Sequence, residues 1–118
     1  SLHDALPIFQ LSKECALAKR YIDSNYSQNI TLDSLAEITH INKFYLAHSF
    51  TECVGQSPIN YLTDRRLEAC KELLVSSNLS VAQVATSVGF SSQSYFSQIF
   101  RKKTGMTPRQ YRRRYARK

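Results

Sequence analysis

The stretch from residue 80 to residue 113, SVAQVATSVGFSSQSYFSQIFRKKTGMTPRQYRR, decides the fold. Its apolar residues recur every third or fourth position, which places them on one face of a helix. Ser80 and Gln83 have the spacing of a capping box at the start of a short helix. Gly89 marks a turn, and Gly105 ends a longer helix. The stretch therefore predicts a short helix, a tight turn and a longer helix, which is the arrangement of a helix-turn-helix unit.

The rest of the chain shows the same helical spacing, and no segment alternates long enough to predict a strand. A first helix is predicted from about residue 11 to 26. Thr31 and Asn42 are N-cap signals for two further helices, and Ser57 followed by Pro58 begins a long one. These patterns predict an all-α fold of about seven helices. The residues predicted to face the core in the third, fourth and sixth helices are Leu46, Phe50, Cys53, Val54, Ile59, Leu62, Leu67, Cys70, Leu73, Leu74, Phe96, Ile99, Phe100 and Lys103.

An internal repeat relates the two halves of the chain. A shift of 50 residues aligns Gly55 with Gly105, and both glycines stand shortly before a Ser/Thr-Pro pair. The same shift also pairs Tyr45 with Tyr95, Leu46 with Phe96, Phe50 with Phe100, Pro58 with Pro108 and Tyr61 with Tyr111. A duplicated pattern with matching terminators predicts two helix-turn-helix subdomains joined by a long central helix.

The chain is accordingly divided into four segments. Residues 1–8, SLHDALPI, resemble a translated sequencing adapter, so residues 1–10 are interpreted as a non-native segment or, alternatively, a short natural linker. Residues 11–56 are predicted to form the first helix-turn-helix subdomain, and residues 57–76 the linker helix. Residues 77–118 are predicted to form the second subdomain with a basic C-terminal helix.

Charge is distributed unevenly along the 118 residues. The net charge is +7 at pH 7, and all nine acidic residues lie at or before Glu72. Residues 1–72 carry −2, whereas residues 73–118 carry +9. This asymmetry is typical of a protein with a polyanionic partner. The alternative is that the basic segment only keeps the chain soluble.

The cysteines and histidines do not predict chemistry of their own. Cys15, Cys53 and Cys70 are an odd number without a CxxC motif, which argues against a disulfide framework and a structural zinc site. The three histidines have no metal-ligand spacing with them. We therefore expect reduced core thiols in a cytoplasmic protein, with no metal, no cofactor and no catalytic residue.

The solvent faces of the two second helices are candidates for reading DNA bases. An α-helix fits the major groove, where glutamine pairs with adenine, serine donates or accepts, and alanine or phenylalanine contacts a thymine methyl group. The alternative for both faces is an ordinary solvated surface. The residues predicted to point outward are Lys43, Phe44, Ala47, His48 and Thr51 in the first unit and Gln93, Ser94, Ser97, Gln98 and Arg101 in the second.

Contacts with the DNA backbone are predicted at the starts of the same helices and in the basic segment. Free N–H groups at helix N-termini suit a phosphate, and arginine and lysine supply the salt-dependent part of affinity. For the arginines near the C-terminus, the alternative is a frayed end that provides only long-range attraction. The predicted backbone contacts are Asn42, Lys43, Ser91, Ser92, Arg101, Lys102 and Arg112.

Residues 80–113 resemble the second helix-turn-helix and signature of the AraC/XylS family of bacterial transcription regulators. The motifs that carry the resemblance include Gly89-Phe90, Phe100-Arg101-Lys102 and Thr107-Pro108. The earlier run RRLEACKELL, residues 65–74, resembles that family's linker helix. The resemblance covers roughly residues 11–115. One departure is His40, which stands in the first turn where the family often has glycine.

The resemblance implies a function as well as a fold. It implies sequence-specific binding to double-stranded DNA, with two recognition helices in successive major grooves about 34 Å apart. Base-reading positions carried over from the family fall on Phe44, Ala47 and His48 in the first unit and on Gln93, Ser94, Ser97 and Gln98 in the second, and all seven are among the residues predicted above to point outward. The resemblance also implies activation more than repression, RNA polymerase as a partner, and an N-terminal sensor or dimerisation domain outside this sequence.

Two other functions fit parts of the sequence. Similar domains occur fused to DNA-repair methyltransferases, so the chain could be the DNA-binding module of such an enzyme. A non-specific basic polyanion or membrane-surface binder would instead use only residues 101–118, with no preference among DNA sequences.

Overall fold

Helices account for all of the regular structure in the described part of the chain, which confirms the all-α prediction. The computed structural model describes the backbone of residues 2–117 and the side chains of residues 13–117. None of the helices in this part is long and apolar enough to cross a membrane. The helices are α1 (Leu2–Asn25), α2 (Leu32–Thr39), α3 (Lys43–Val54), α4 (Pro58–Ser76), α5 (Val81–Ser87), α6 (Gln93–Thr104) and α7 (Pro108–Tyr115).

The predicted N-caps begin their helices. The Thr31 hydroxyl accepts a hydrogen bond from Ser34 N–H, and the Ser80 hydroxyl accepts one from Gln83 N–H. Thr107 caps α7 in the same way and precedes Pro108 at the first helical position. Each cap satisfies a backbone donor that the first helical turn cannot pair internally.

The C-terminal signals also act as predicted. Gly55 and Gly105 follow α3 and α6 in the left-handed conformation, with φ of 93° and 79°. His40 follows α2 in the same conformation, with φ of 60°. A histidine tolerates this conformation better than most residues but less well than glycine. The first turn therefore adopts the left-handed conformation although it has a histidine where the family often has glycine.

The first helix is longer than the sequence predicted. A start near residue 11 is wrong, because α1 begins at Leu2. The prediction set the first ten residues aside as foreign, yet the origin of a segment does not determine its conformation. Leucine and alanine in that segment are good helix formers. The interpretation as a non-native or linker segment stays a prediction, and the side chains there lie outside the described residues.

The chain divides into two compact units, and the division falls after Thr63 within α4. In the first unit α1 packs against α2 and α3. Its core is apolar, and the Phe50 ring meets the Tyr61 ring edge-on at 5.7 Å. The Tyr61 hydroxyl donates to the Asp23 carboxylate at 2.6 Å, which links α4 to α1. The buried core residues of this unit are Cys15, Ala18, Ile22, Ile30, Leu35, Leu46, Phe50 and Leu62.

The second unit has an aromatic core. α5 and α7 both pack against α6. Phe96 contacts Phe90 at 5.2 Å and Phe100 at 5.7 Å between ring centroids, and Phe100 meets Tyr111 edge-on at 5.5 Å. Stacked and edge-on aromatic pairs add stability beyond the area that they bury. This packing fixes which face of α6 remains open to solvent.

Three residues predicted to face the core do not. Cys53 is exposed at the end of α3, and Ile59 is exposed near the start of α4. Lys103 is exposed, and its ammonium lies 3.3 Å from the Asp64 carboxylate. In each case the residue occurs near a helix end, where the apolar stripe leaves the core, so helical spacing alone assigned it wrongly.

Candidate nucleic-acid interface

The start of α3 is fixed by one side chain. Asn42 Oδ1 accepts hydrogen bonds from the N–H groups of Phe44 at 2.9 Å and Tyr45 at 3.3 Å. Leu46 and Phe50 are fully buried on the inner face of the helix. The cap and these two anchors together orient α3, so that its other face is presented to solvent.

The solvent face of α3 is apolar at its centre and charged at its edges. Phe44 is 71% exposed, and Ala47 beside it is half-buried. His48 is exposed, and its Nε2 lies 3.1 Å from Glu52 Oε1. The Lys43 ammonium lies 3.1 Å from the Asp33 carboxylate of α2 and 5.4 Å from the centre of the Phe44 ring. The three predicted base-reading residues of the first unit therefore lie on one surface.

The solvent face of α6 is polar instead. Ser92 Oγ caps the helix by accepting from Tyr95 N–H at 3.2 Å, which selects Ser92 over Ser91 as the cap. Phe96 and Phe100 are fully buried and orient the helix. Ser94 and Gln98 are exposed on the opposite face, and Ser97 is half-buried beside them. Gln93, the fourth predicted base-reading residue of this unit, is exposed as the first residue of the helix, three residues before Phe96.

Basic side chains extend this polar face toward the end of α6. Arg101 and Lys102 are exposed, and Arg101 lies in the row that contains Ser94, Ser97 and Gln98, because residues three and four apart share a helix face. The described second unit thus places hydrogen-bonding groups beside positive charge, as a helix that enters a DNA groove requires.

The described part of the C-terminal segment, which ends at Arg117, makes hydrogen bonds with α4. Arg112 is half-buried and its Nε donates to the Leu74 carbonyl at 2.9 Å. Arg117 N–H donates to the Val75 carbonyl, and the Arg117 guanidinium holds both oxygens of Glu72 at 3.0 and 3.4 Å. These contacts attach α7 to the end of α4. Arg112 has a structural role here, and its predicted contact with the DNA backbone stays a prediction.

Comparisons with known proteins agree with this geometry. A helix-turn-helix domain family matches residues 35–114, which extend from within α2 to the last turn of α7 and include both α3 and α6. The C-terminal domain of AraT, a response regulator from Geobacillus stearothermophilus, is 38% identical with a TM-score of 0.87, and the match covers 92% of this chain and 90% of that one. A transcriptional regulator from Chromobacterium violaceum with an AraC-type DNA-binding domain is 25% identical with a TM-score of 0.80, over 90% and 95% of the two chains. The chain belongs to the AraC-type helix-turn-helix family.

One curated relative combines two activities. The bifunctional transcriptional activator/DNA repair enzyme AdaA of Bacillus subtilis is 34% identical over 96 residues. The match covers 81% of this chain but 46% of AdaA, so the AraC-type domain described here spans about half the length of that relative.

Two exposed tyrosines of the AraC-type domain were not among the residues that the sequence predicted for the interface. Tyr45 and Tyr95 are 40% and 50% exposed at the third helical position of α3 and α6. The repeat aligns them, but the sequence analysis used them only as markers of duplication.

The two buried thiols of the AraC-type domain are unsuited to nucleophilic chemistry near neutral pH. Burial raises the pKa of the Cys15 thiol to about 11 and that of the Cys70 thiol to about 12. A thiol with a raised pKa holds little thiolate near neutral pH. Cys53 is exposed. No group of three or more histidine, cysteine or acidic side chains in the described part of the chain is placed to hold a metal ion.

Proposed function

We propose that the chain binds double-stranded DNA sequence-specifically through α3 and α6, as the DNA-reading part of a bacterial transcription regulator. The observation that carries this proposal is the solvent face of α6. It presents Ser94 and Gln98 beside Arg101, with Gln93 exposed at the first position of the helix, while buried Phe96 and Phe100 anchor the helix in the core. The similarity to an AraC-type DNA-binding domain supports the same function.

The residues divide into two roles. Base reading is proposed for Phe44, Ala47 and His48 on α3 and for Gln93, Ser94, Ser97 and Gln98 on α6, because their side chains reach solvent on a helix that fits the major groove. Backbone contacts are proposed for Arg101 and Lys102 and for the helix starts at Asn42, Lys43, Ser91 and Ser92, since such contacts set register without reading sequence. If the two helices enter successive major grooves, the DNA site consists of two boxes about 10 bp apart.

The wider role follows from the relatives. We propose activation in the cytoplasm, with RNA polymerase as a protein partner and a sensor or dimerisation domain in the full-length protein. AdaA is an activator as well as a repair enzyme. For this chain we propose binding without catalysis, because Cys15 and Cys70 are buried with raised thiol pKa values.

Selection from a random duplex pool tests the proposal. We would select bound duplexes of about 25 bp at physiological salt with competitor DNA, a length that holds two boxes one helical turn apart. Enrichment of two boxes is the expected result. Enrichment of a single box would mean that only one of the two helices, α3 or α6, reads bases. Salt-sensitive binding without enrichment would overturn the proposal in favour of a non-specific polyanion binder.

Alanine variants then test the reading residues on the enriched duplex. Gln93→Ala and Gln98→Ala are each expected to lose about 1–3 kcal/mol of binding free energy on that duplex and little on unrelated DNA. Asn78→Ala removes an exposed amide outside α6 and is the matched control. Losses below about 0.5 kcal/mol at both glutamines would contradict the assignment of α6, since one good bidentate contact exceeds that value.

A further inference from the structure

Phe44 exposes more of its side chain than the other large apolar residues of the described chain that reach solvent. It forms one wall of a shallow depression at the start of α3. Phe44 does not support the fold of its own unit, because the core beneath α3 is filled by Leu46 and Phe50. An exposed aromatic ring that the core does not need therefore lies at the start of the helix that the proposed function places in a DNA groove. The depression is lined by Ile41, Asn42, Phe44, Tyr45 and His48.

The polar groups around this ring are held by partners within the first unit. The Lys43 ammonium pairs with Asp33, and the His48 imidazole lies at hydrogen-bond distance from Glu52. Asn42 Oδ1 already accepts from two backbone N–H groups. A ligand at the centre of this surface would therefore meet mainly apolar atoms and few unpaired hydrogen-bonding groups.

The repeat supplies an internal comparison. The 50-residue shift aligns Phe44 with Ser94, and His48 with Gln98. Ala47 aligns with Ser97 in the same way. At two of these positions an apolar side chain of the first unit, Phe44 or Ala47, corresponds to a serine hydroxyl in the second, and at the third both units have a hydrogen-bonding group. The two helices therefore present different chemistry at equivalent positions.

The major groove of DNA offers one apolar group to such a surface. Base edges there present hydrogen-bond donors and acceptors, and thymine adds its C5 methyl group. We infer that α3 reads thymine through this methyl group, with Phe44 as the specificity-determining residue and Ala47 beside it, whereas α6 reads its box by hydrogen bonds. This inference rests on the proposed function and names the base class for one of its two helices.

Deoxyuridine provides a direct probe, because it pairs like thymidine but lacks the C5 methyl group. The most enriched duplex from the random pool would be synthesised with each thymidine replaced in turn by deoxyuridine. We expect at least one replacement in a single box to weaken binding about threefold to fivefold, which corresponds to about 0.8 kcal/mol for one buried methyl group. The remaining replacements should leave affinity unchanged.

Variants assign the sensitive position to a helix. Phe44→Ala should bind the thymidine and deoxyuridine duplexes equally, while Phe44→Leu should keep part of the preference because it keeps an apolar side chain. Ile59→Ala removes an exposed apolar side chain of the first unit outside α3, so it is the matched control and should retain the full preference. Ser94→Ala tests whether the equivalent position of α6 contributes to the preference. Because Phe44 is exposed, thermal unfolding of Phe44→Ala should match that of the parent chain, which separates lost reading from lost folding.

The outcomes separate the inference from the proposed function. Specific binding that no deoxyuridine replacement weakens would overturn the inference and leave the proposed function in place. A preference that survives in Phe44→Ala but disappears in Ser94→Ala would place thymine reading on α6 and also overturn the inference. A pool that yields no enriched duplex would overturn the proposed function, and the inference with it.

Discussion

Arg112 Nε donates a hydrogen bond to the carbonyl of Leu74 at 2.9 Å, and thereby links α7 to the last turns of α4. The acceptor is one of the final carbonyls of α4, which helix geometry leaves without an internal partner. One Nη atom of Arg112 is buried and has no partner among the described residues. Arg112, which the sequence predicted to contact the DNA backbone, thus supplies a hydrogen-bond donor to the C-terminal end of α4.

Arg112→Met is expected to destabilise the domain. The substitution keeps most of the aliphatic stem but leaves the Leu74 carbonyl unpaired, and hydrogen bonds that involve a charged group contribute about 1.5–3 kcal/mol. Urea unfolding followed by circular dichroism measures the change. Arg113→Met is the control, because Arg113 is exposed one residue further along α7. Equal free energies of unfolding for the two variants would contradict the structural role of Arg112.

His40→Gly is expected to stabilise the domain. His40 has φ of 60°, the one positive φ of a non-glycine residue in the described chain. A left-handed conformation costs most L-residues about 1–2 kcal/mol, and glycine avoids this cost but loses more chain entropy on folding. The midpoint of thermal unfolding should therefore rise. His48→Gly within α3 should lower it, because glycine in a helix costs about 1 kcal/mol. A lower midpoint for His40→Gly would contradict this interpretation.

Local signals allowed most of the helix ends to be predicted, because caps and terminators act within a few residues. Asn42 and Gly55 enclose α3 as their chemistry requires. The start of α1 and the exposure of Cys53 were not predictable in this way. Apolar spacing does not tell where a stripe leaves the core, and a segment interpreted as foreign still forms a helix.

The exposure of the faces proposed to read DNA could mostly be predicted, because these faces lie opposite the buried stripes. Once Phe96 and Phe100 are inside, Ser94 and Gln98 lie on the other side of α6. Gln93 is instead three residues before Phe96 and is exposed because it is the first residue of the helix. The ion pair of Lys43 with Asp33 could not be predicted from the sequence, because it joins two helices and depends on the geometry of the turn between them. The same holds for Arg117 and Glu72, which are 45 residues apart.

Gly55→Ala and Gly105→Ala are expected to destabilise the domain by similar amounts. A Cβ atom added at either position would meet nothing within 4 Å, so the only cost is the left-handed backbone. That cost is about 1–2 kcal/mol for each substitution. Asparagine at the same positions should cost less, since it adopts this conformation more readily. An alanine variant as stable as the parent in urea unfolding would rule out this account.

Arg101→Gln is expected to lower the salt dependence of DNA binding. Each phosphate contact adds about one unit to the slope of log affinity against log salt. Lys103→Gln should change the slope less, because the Lys103 ammonium lies 3.3 Å from Asp64 within its own unit. Fluorescence anisotropy at several salt concentrations gives both slopes. A larger change for Lys103→Gln would mean that the backbone contact has been assigned to the wrong side chain.

Stability is expected to fall at alkaline pH because of Cys70. Burial raises the pKa of this thiol from 9.0 to about 12 in the folded state. Between these values the unfolded chain loses a proton that the folded chain keeps, so the stabilising effect is complete below pH 9 and disappears as the pH approaches 12. One such group contributes a slope of up to about 1.4 kcal/mol per pH unit.

The free energy of unfolding of Cys70→Ala, measured from pH 7 to 11, should therefore fall less steeply above pH 9 than that of the parent. Tyrosines and lysines titrate in both proteins, so the difference between the two curves isolates Cys70. Parallel curves would show that the thiol is not shielded from water.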